Sequence, residues 1–281
     1  MDRSESIIDL IKNQIKKEDS LPVLSPESLE IQNEATRENM DFSKLTRLVS
    51  RDITLTGQIL KTANSPFYRG LGDVETLKDA VLRLGQHEMV NIIMQEMHKN
   101  NFKSEIPQIR SYQTRLWNHS LSCAMGSLWT VKYLALNDLI PRAFISGLLH
   151  DMGQLYLLTA IEKLLISETE SFKPPPQLIE KILASLHPSL GYNLLTKWNL
   201  PDPYRIIARD HHREDFDVTN MMLVVIRLTD AVCHKMERND PEENLSGIAS
   251  SREADILTMS EIGLAELEIA LEDAKTRNTP L

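Results

Sequence analysis

Apolar side chains recur three and four residues apart along most of this 281-residue chain. No stretch alternates apolar and polar with the period of two that a half-buried strand requires. That spacing confines the chain to an all-α fold. Ile7, Ile8, Leu10, Ile11 and Ile15 give a first helix one apolar face. Leu21-Pro22-Val23-Leu24 then runs extended, and Ser25-Pro26 opens a second helix as N-cap and first-turn proline. Asp41 and Asp52 are placed to cap the next two, the latter carrying Leu55, Ile59, Leu60 and Ala63 to a stop at Asn64-Ser65-Pro66. Asn64 and Ser65 are expected to satisfy backbone groups there rather than to do chemistry. Thr76 with Asp79 resembles a capping box ahead of Leu77, Val81 and Leu84, and Gly85 ends that helix. Residues 87–97 form another helix.

A polar stretch over 99–113 separates this half from the next. Buried helices are expected at 117–135 and 141–150, and 171–177 with its three prolines forms a turn. Further helices fall at 178–186, 189–198, 204–212 and 221–236, with Trp198 as a core anchor. Residues 237–250 are polar, and 264–274 form an acidic amphipathic helix. The chain therefore divides into an N-terminal helical subdomain (1–110), a helical core (111–236), and a linker with a C-terminal helix (237–281).

Aromatic residues make up only 5%, so aliphatic side chains and methionine must fill the interior, which suits helices. The net charge is −9 and no basic stripe is evident, which argues against nucleic acid as a partner. No apolar run approaches the ~20 residues of a membrane span, and the N-terminus lacks a signal-like apolar core. A cytoplasmic location without membrane attachment is expected. Cys123 and Cys233 sit among apolar neighbours and read as small core residues, not a disulfide.

Polar residues interrupt this apolar pattern at chosen places. His119 stands on a helix that is otherwise apolar or small. His150-Asp151 ends the run Ala143 to Leu149, and Asp230 lies within the strongly apolar segment 221–232. Burying such groups without partners costs several kcal/mol each, so they need hydrogen bonds or a cation. His187, His211 and His212 are further candidates. Imidazoles with carboxylates suit iron, manganese, zinc or nickel, as one or two divalent ions. With no thiolate in the set, a structural zinc knot is not expected. The alternative is a buried network in which the histidines satisfy one another.

The order His119, His150-Asp151, Asp230 resembles the HD superfamily of metal-dependent phosphohydrolases, whose four residues hold one divalent ion. His187, His211 and His212 resemble the extra ligands of its binuclear branch, where Asp151 would bridge two ions and be the residue on which catalysis rests. Other segments narrow the likeness: Ile59-Leu60-Lys61-Thr62-Ala63-Asn64-Ser65, Ala80-Val81-Leu82-Arg83-Leu84-Gly85, Gly147 to Gly153, and His187-Pro188-Ser189-Leu190-Gly191 with Trp198-Asn199-Leu200-Pro201. Together they resemble the HDOD family, the HD-related output domain of bacterial signalling proteins, over about residues 20–235. The resemblance implies a multi-helix HD-like bundle and a regulatory module acting on signalling partners, with self-association as a further option.

The chain departs from the catalytic pattern of that superfamily in three places. Active binuclear relatives carry a lysine three residues after the His-Asp aspartate, and here that place is Gln154. Gly191-Tyr192 is followed by Asn193 within a helical pattern, so it is not their glycine-tyrosine-proline loop. Arg115 stands where some have a ligating glutamate. Losing the lysine argues against turnover on phosphate, because electrostatic stabilisation usually dominates such catalysis. Arg115, Gln154 and Arg209 are the candidate phosphate contacts, although Arg209 is at least as well explained as a surface ion-pair partner. Two readings follow: a regulatory module, or a metal-dependent phosphohydrolase acting on a nucleotide or cyclic dinucleotide. A scaffold whose site merely stabilises the fold is a third.

Overall fold

A computed structural model describes residues 3–17, 24–68, 70, 72–99, 101–167, 172, 174–238 and 245–277. Among these the chain is helical, with no strand. The extended reading of residues 21–23 lies outside the described residues. None of the described helices is long and apolar enough to cross a membrane.

The first half is a set of short capped helices. α1 (Arg3–Lys17) packs against a later helix, α9 (Met152–Ser167). Ser25 caps α2 (Pro26–Ala35) through Ser28 N at 3.1 Å, and Asp41 caps α3 (Phe42–Val49) through Lys44 N at 3.0 Å. Asp52 caps α4 (Ile53–Ala63) through Leu55 N at 2.9 Å. Thr76 caps α5 (Leu77–Leu84), and Gly85 reverses the chain at φ 80° before α6 (Gln86–Lys99).

Asn64 ends α4 and clasps the following loop, accepting from Val74 N and donating to Val74 O, each at 2.8 Å. Asn64→Ala removes both bonds and leaves two partly buried backbone groups unpaired. A loss of about 1–3 kcal/mol in urea unfolding is expected, and an unchanged midpoint would refute this role.

His98 on α6 is fully buried, its Nε2 2.7 Å from Gln32 Oε1 on α2 and its ring tilted against Trp198. Burial pushes its pKa down to about 4. The unfolded chain takes up the same proton near pH 6.5. Between these values the unfolded state binds more protons, so stability is complete above about pH 6.5 and falls as pH drops towards 4, by about 3 kcal/mol. Unfolding of wild type and His98→Gln at pH 7 and 4.5 tests this. The variant should lose distinctly less stability over the interval, and equal losses would exclude His98 as the cause.

The second half is the helical core. α7 (Pro107–Tyr133) starts ten residues earlier than its apolar stripe suggests. Pro107 occupies its first turn, and buried Ile109, Tyr112 and Leu116 extend the stripe into what reads as a polar linker. α8 (Ile140–Leu149) crosses α7, and α9 follows after only His150 and Asp151. α9 has no counterpart among the helices expected from spacing, because it is apolar nearly all round: Leu155, Leu157, Leu158, Ala160 and Ile161 are all buried.

The two helices expected at 178–186 and 189–198 are one, α10 (Pro176–Lys197), with Pro188 inside it. Pro188 has no N–H to give the carbonyl four residues back, yet burial on both sides of it keeps the helix continuous. α11 (Asp202–Asp210) and α12 (Met221–Arg238) complete the core. Within the polar segment 237–250, the described part holds a short helix, α13 (Leu245–Ala249). α14 (Arg252–Leu257) packs on α12, and α15 (Glu261–Arg277) lies on α7. Cys123 and Cys233 are buried and unlinked.

Two glycines set the spacing of the core helices. A Cβ on Gly147 would lie 2.5 Å from Cys123 O and 2.6 Å from Ala124 Cα, so α8 rests directly on the backbone of α7. A Cβ on Gly153 would collide with the carbonyl of His187, bringing α9 against α10 in the same way. These close approaches fix the distances between the polar groups described next.

Candidate metal centre

Five helices deliver polar side chains to one buried point. His119 comes from α7, and His150 caps the C-terminus of α8 with Asp151 at the junction to α9. His187 comes from α10, His211 caps α11 with His212 beside it, and Asp230 comes from α12. All but His212 are buried; its side chain is 40% exposed at the rim.

The donors form two adjoining sets. In the first, His119 Nε2 lies 3.3 Å from His150 Nε2 and 3.0 Å from Asp230 Oδ1, and His150 Nε2 lies 3.7 Å from that oxygen. In the second, His187 Nε2 and His211 Nε2 are 3.2 Å apart and lie 3.2 and 3.4 Å from Asp151 Oδ1. Asp151 connects the sets, its Oδ2 being 3.6 Å from His150 Nε2 and 3.7 Å from His119 Nε2. His212 Nδ1 approaches Asp230 Oδ2 at 3.9 Å.

Hydrogen bonds on the far side of each ring decide which nitrogen faces inward. His150 Nδ1 bonds Gly147 O at 2.7 Å, His187 Nδ1 bonds Leu183 O at 2.8 Å, and His211 Nδ1 bonds Ile207 O at 3.0 Å. A carbonyl only accepts, so each Nδ1 carries a proton and Nε2 faces inward, bare unless a second proton charges the ring. His119 does the same through Glu237, whose Oε1 lies 2.9 Å from its Nδ1. Such outer partners orient metal-bound histidines and raise their basicity.

Bare nitrogens pointing at one another 3.2–3.3 Å apart repel unless a proton or cation lies between them. Asp151 Oδ1 is buried and has no hydrogen-bond partner among the described groups. Tetrahedral nitrogen and oxygen ligands at ~2.0–2.1 Å from an ion stand about 3.3 Å from one another, which is the spacing of both sets. The residues therefore fit a divalent ion in either set.

The electrostatics agree with that need. Burial most strongly opposes ionisation of Asp151 and Asp230, yet the surrounding histidines outweigh it and hold both carboxyls well below their usual range. Burial likewise opposes protonation of His119 and His187, but Asp230, Glu237 and Asp151 raise both above the ordinary imidazole value. Burial lowers His211, and burial with neighbouring His211 lowers His212 to about 3. The two carboxylates thus demand positive charge, which protons supply only by charging buried rings.

A cavity of about 520 Å³ opens onto the centre, with His119, Asp151, His187 and His212 at its floor. Gln154 lines it and donates to Asp151 Oδ2 at 2.7 Å. Arg115 lines it too, 3.8 Å from Glu180 and stacked over Tyr112. Arg209 is not among the lining residues; it bonds Asp210 twice, at 2.8 and 2.7 Å. Gly191-Tyr192 lies inside α10.

Three residues join the site that the sequence analysis does not place there: Cys123, His234 and Glu237. Their signal is helical spacing. Cys123 follows His119 by four residues, and His234 and Glu237 follow Asp230 by four and seven, so each shares a face with a ligand candidate. Cys123 Sγ lies beside the first donor set, 3.6 Å from His119 Nε2.

Comparison with known proteins agrees with this architecture. An uncharacterized protein of Treponema pallidum (strain Nichols) is 27% identical over 198 residues, covering 69% of this chain and 38% of that protein. The chain thus spans well under half the length of that relative. A crystal structure of an HDOD domain protein with unknown function from Geobacter sulfurreducens superposes with a TM-score of 0.70 at 18% identity, covering 97% of this chain and 96% of that one. A protein from Shewanella amazonensis SB2B, named provisionally a metal-dependent phosphohydrolase, gives 0.68 at 15% identity over 98% and 99% of the two chains. A protein from Marinobacter aquaeolei VT8, named provisionally for signal transduction, gives 0.61 at 19% over 96% and 67%. At these identities the structures share a fold. The HDOD domain itself matches residues 21–214, more than half of the sequence, and the chain belongs to the HDOD family.

Proposed function

We propose that this chain is a cytoplasmic regulatory module that acts through signalling proteins and carries a divalent ion at the His/Asp centre. The observation that carries the regulatory reading is Gln154. It stands where active binuclear relatives are expected to present a lysine to phosphate, and its amide is committed to Asp151 Oδ2 at 2.7 Å. Arg115 is the one lysine or arginine among the described residues lining the cavity, and Glu180 opposes its charge. Little cationic charge is left to hold a phosphoryl group as negative charge builds in a transition state.

His119, His150 and Asp230 would hold an ion on one side, and His187, His211 and Asp151 one on the other. A bound divalent ion would supply Lewis acidity and positive charge at this point. The chain's own contribution is orientation. Glu237 and three backbone carbonyls hold the imidazoles with Nε2 inward, and Gln154 steadies Asp151.

One observation favours the second reading, a phosphohydrolase: Asp151 faces both donor sets beneath an open cavity. A screen of nucleotides and cyclic dinucleotides with manganese, iron or zinc separates the two. No metal-dependent release of phosphate from nucleotides, or of linear product from cyclic dinucleotides, is expected. Release that disappears in Asp151→Asn, with the fold intact, would overturn the regulatory reading.

A further inference from the structure

The thiol of Cys123 occupies a position that neither the family resemblance nor the histidine and aspartate pattern assigns. α7 places it one turn beyond His119, fully buried, with Sγ 3.6 Å from His119 Nε2 and 4.0 Å from Asp230 Oδ1. The donor atoms of His119, Cys123, His150 and Asp230 all lie within 4.8 Å of one another. Sulfur binds an ion at about 2.3 Å and nitrogen at about 2.0–2.1 Å, so a tetrahedral pair of them stands about 3.6 Å apart. The contact to His119 has that spacing.

We propose that Cys123 is the fourth ligand of the His119–His150–Asp230 set, making it a two-histidine, aspartate and thiolate site for a soft or borderline divalent ion. The proposal rests on the metal reading above and deepens it. A thiolate selects zinc, iron(II) or cobalt(II) and disfavours magnesium and calcium. The second set, with Asp151, His187, His211 and His212, contains no sulfur and is the harder of the two. The chain then offers two unlike sites side by side, and the sulfur-containing one is the more deeply buried.

Without an ion the thiol stays protonated. Burial, the adjacent Cys233 and the two carboxylates all oppose its ionisation. A coordinated cation reverses that balance and deprotonates the thiol on binding. Cys233 on α12 neighbours Cys123 and becomes an outer partner of the bound sulfur.

The test is cobalt(II) substitution of the full chain, read by near-ultraviolet absorption and by bound cobalt per chain. Wild type is expected to bind cobalt and to show a sulfur-to-cobalt charge-transfer band. Cys123→Ser should lose the band and bind zinc at least about tenfold more weakly, whereas Cys233→Ser should keep the band. Cobalt bound to saturation of both sets without the band overturns the cysteine ligand and leaves the metal centre standing. A band that persists in Cys123→Ser also overturns it. Absence of bound cobalt in folded wild type overturns the metal centre and, with it, this proposal. If Cys123→Ser folds poorly, the band in Cys233→Ser decides the matter, because Cys123 is then the one thiol left in the sequence.

Discussion

Asp151→Ala, purified without chelator, is expected to retain less than about a tenth of the metal that the wild-type protein carries. Asp151 is the residue that both donor sets share, its two oxygens lying 3.2–3.7 Å from four imidazole nitrogens. Removing it takes a ligand from one set and half the neutralising charge from the other. Loss of an outer partner alone typically weakens a site about 10- to 100-fold, and a ligand should cost at least that. The accompanying thermal signature is as definite. An ion present at 100 times its dissociation constant stabilises the folded state by about 2.7 kcal/mol. Wild type should therefore lose several degrees of melting temperature on chelation, and Asp151→Ala should be insensitive to chelator and to added zinc. Elemental analysis with circular dichroism decides the case. A folded variant with wild-type metal content would place the ion elsewhere, and a metal-free folded wild type would exclude the centre altogether.

Gly153→Ala is expected to be the most damaging single methyl group that can be added to this chain. Its Cβ would strike the carbonyl of His187, with Gly191 N at 2.7 Å, and both obstacles are backbone. No side chain can rotate away, so α9 must separate from α10. Overpacking of this kind costs about 1–3 kcal/mol and occasionally more. At the upper end, the melting temperature of a domain this size falls by roughly 5 °C. The same displacement carries Asp151 away from His187, so metal content should fall together with stability. Gly57→Ala on α4 is the matched control. Nothing lies within 4 Å of its added Cβ, and alanine is favoured over glycine within a helix by about 1 kcal/mol. If the two variants melt alike, close packing of α9 on α10 is not what holds Asp151 in place.

Much of this is legible in the sequence, and for identifiable reasons. Helix starts at Ser25, Asp41, Asp52 and Thr76 depend on side chains that satisfy backbone donors three residues away, a local interaction that a linear pattern records. His119, His150, Asp151, His187, His211 and Asp230 stood out because polar groups in apolar helices need partners. Where the reading failed, a non-local cause was at work. α9 is apolar nearly all round, so it has no broad polar face for periodicity to detect. α10 runs through Pro188 because its neighbours hold both halves, which a helix-breaking rule cannot anticipate.

The sequence alone therefore determined the helical class, the caps and the list of groups that could not be buried unpaired, since each follows from near neighbours. Only the tertiary structure decided which groups meet. It tied Glu237 to His119, brought His187 against His211 and turned Cys123 towards Asp230. Those choices depend on how closely helices cross, and here that distance is set by backbone contact at Gly147 and Gly153.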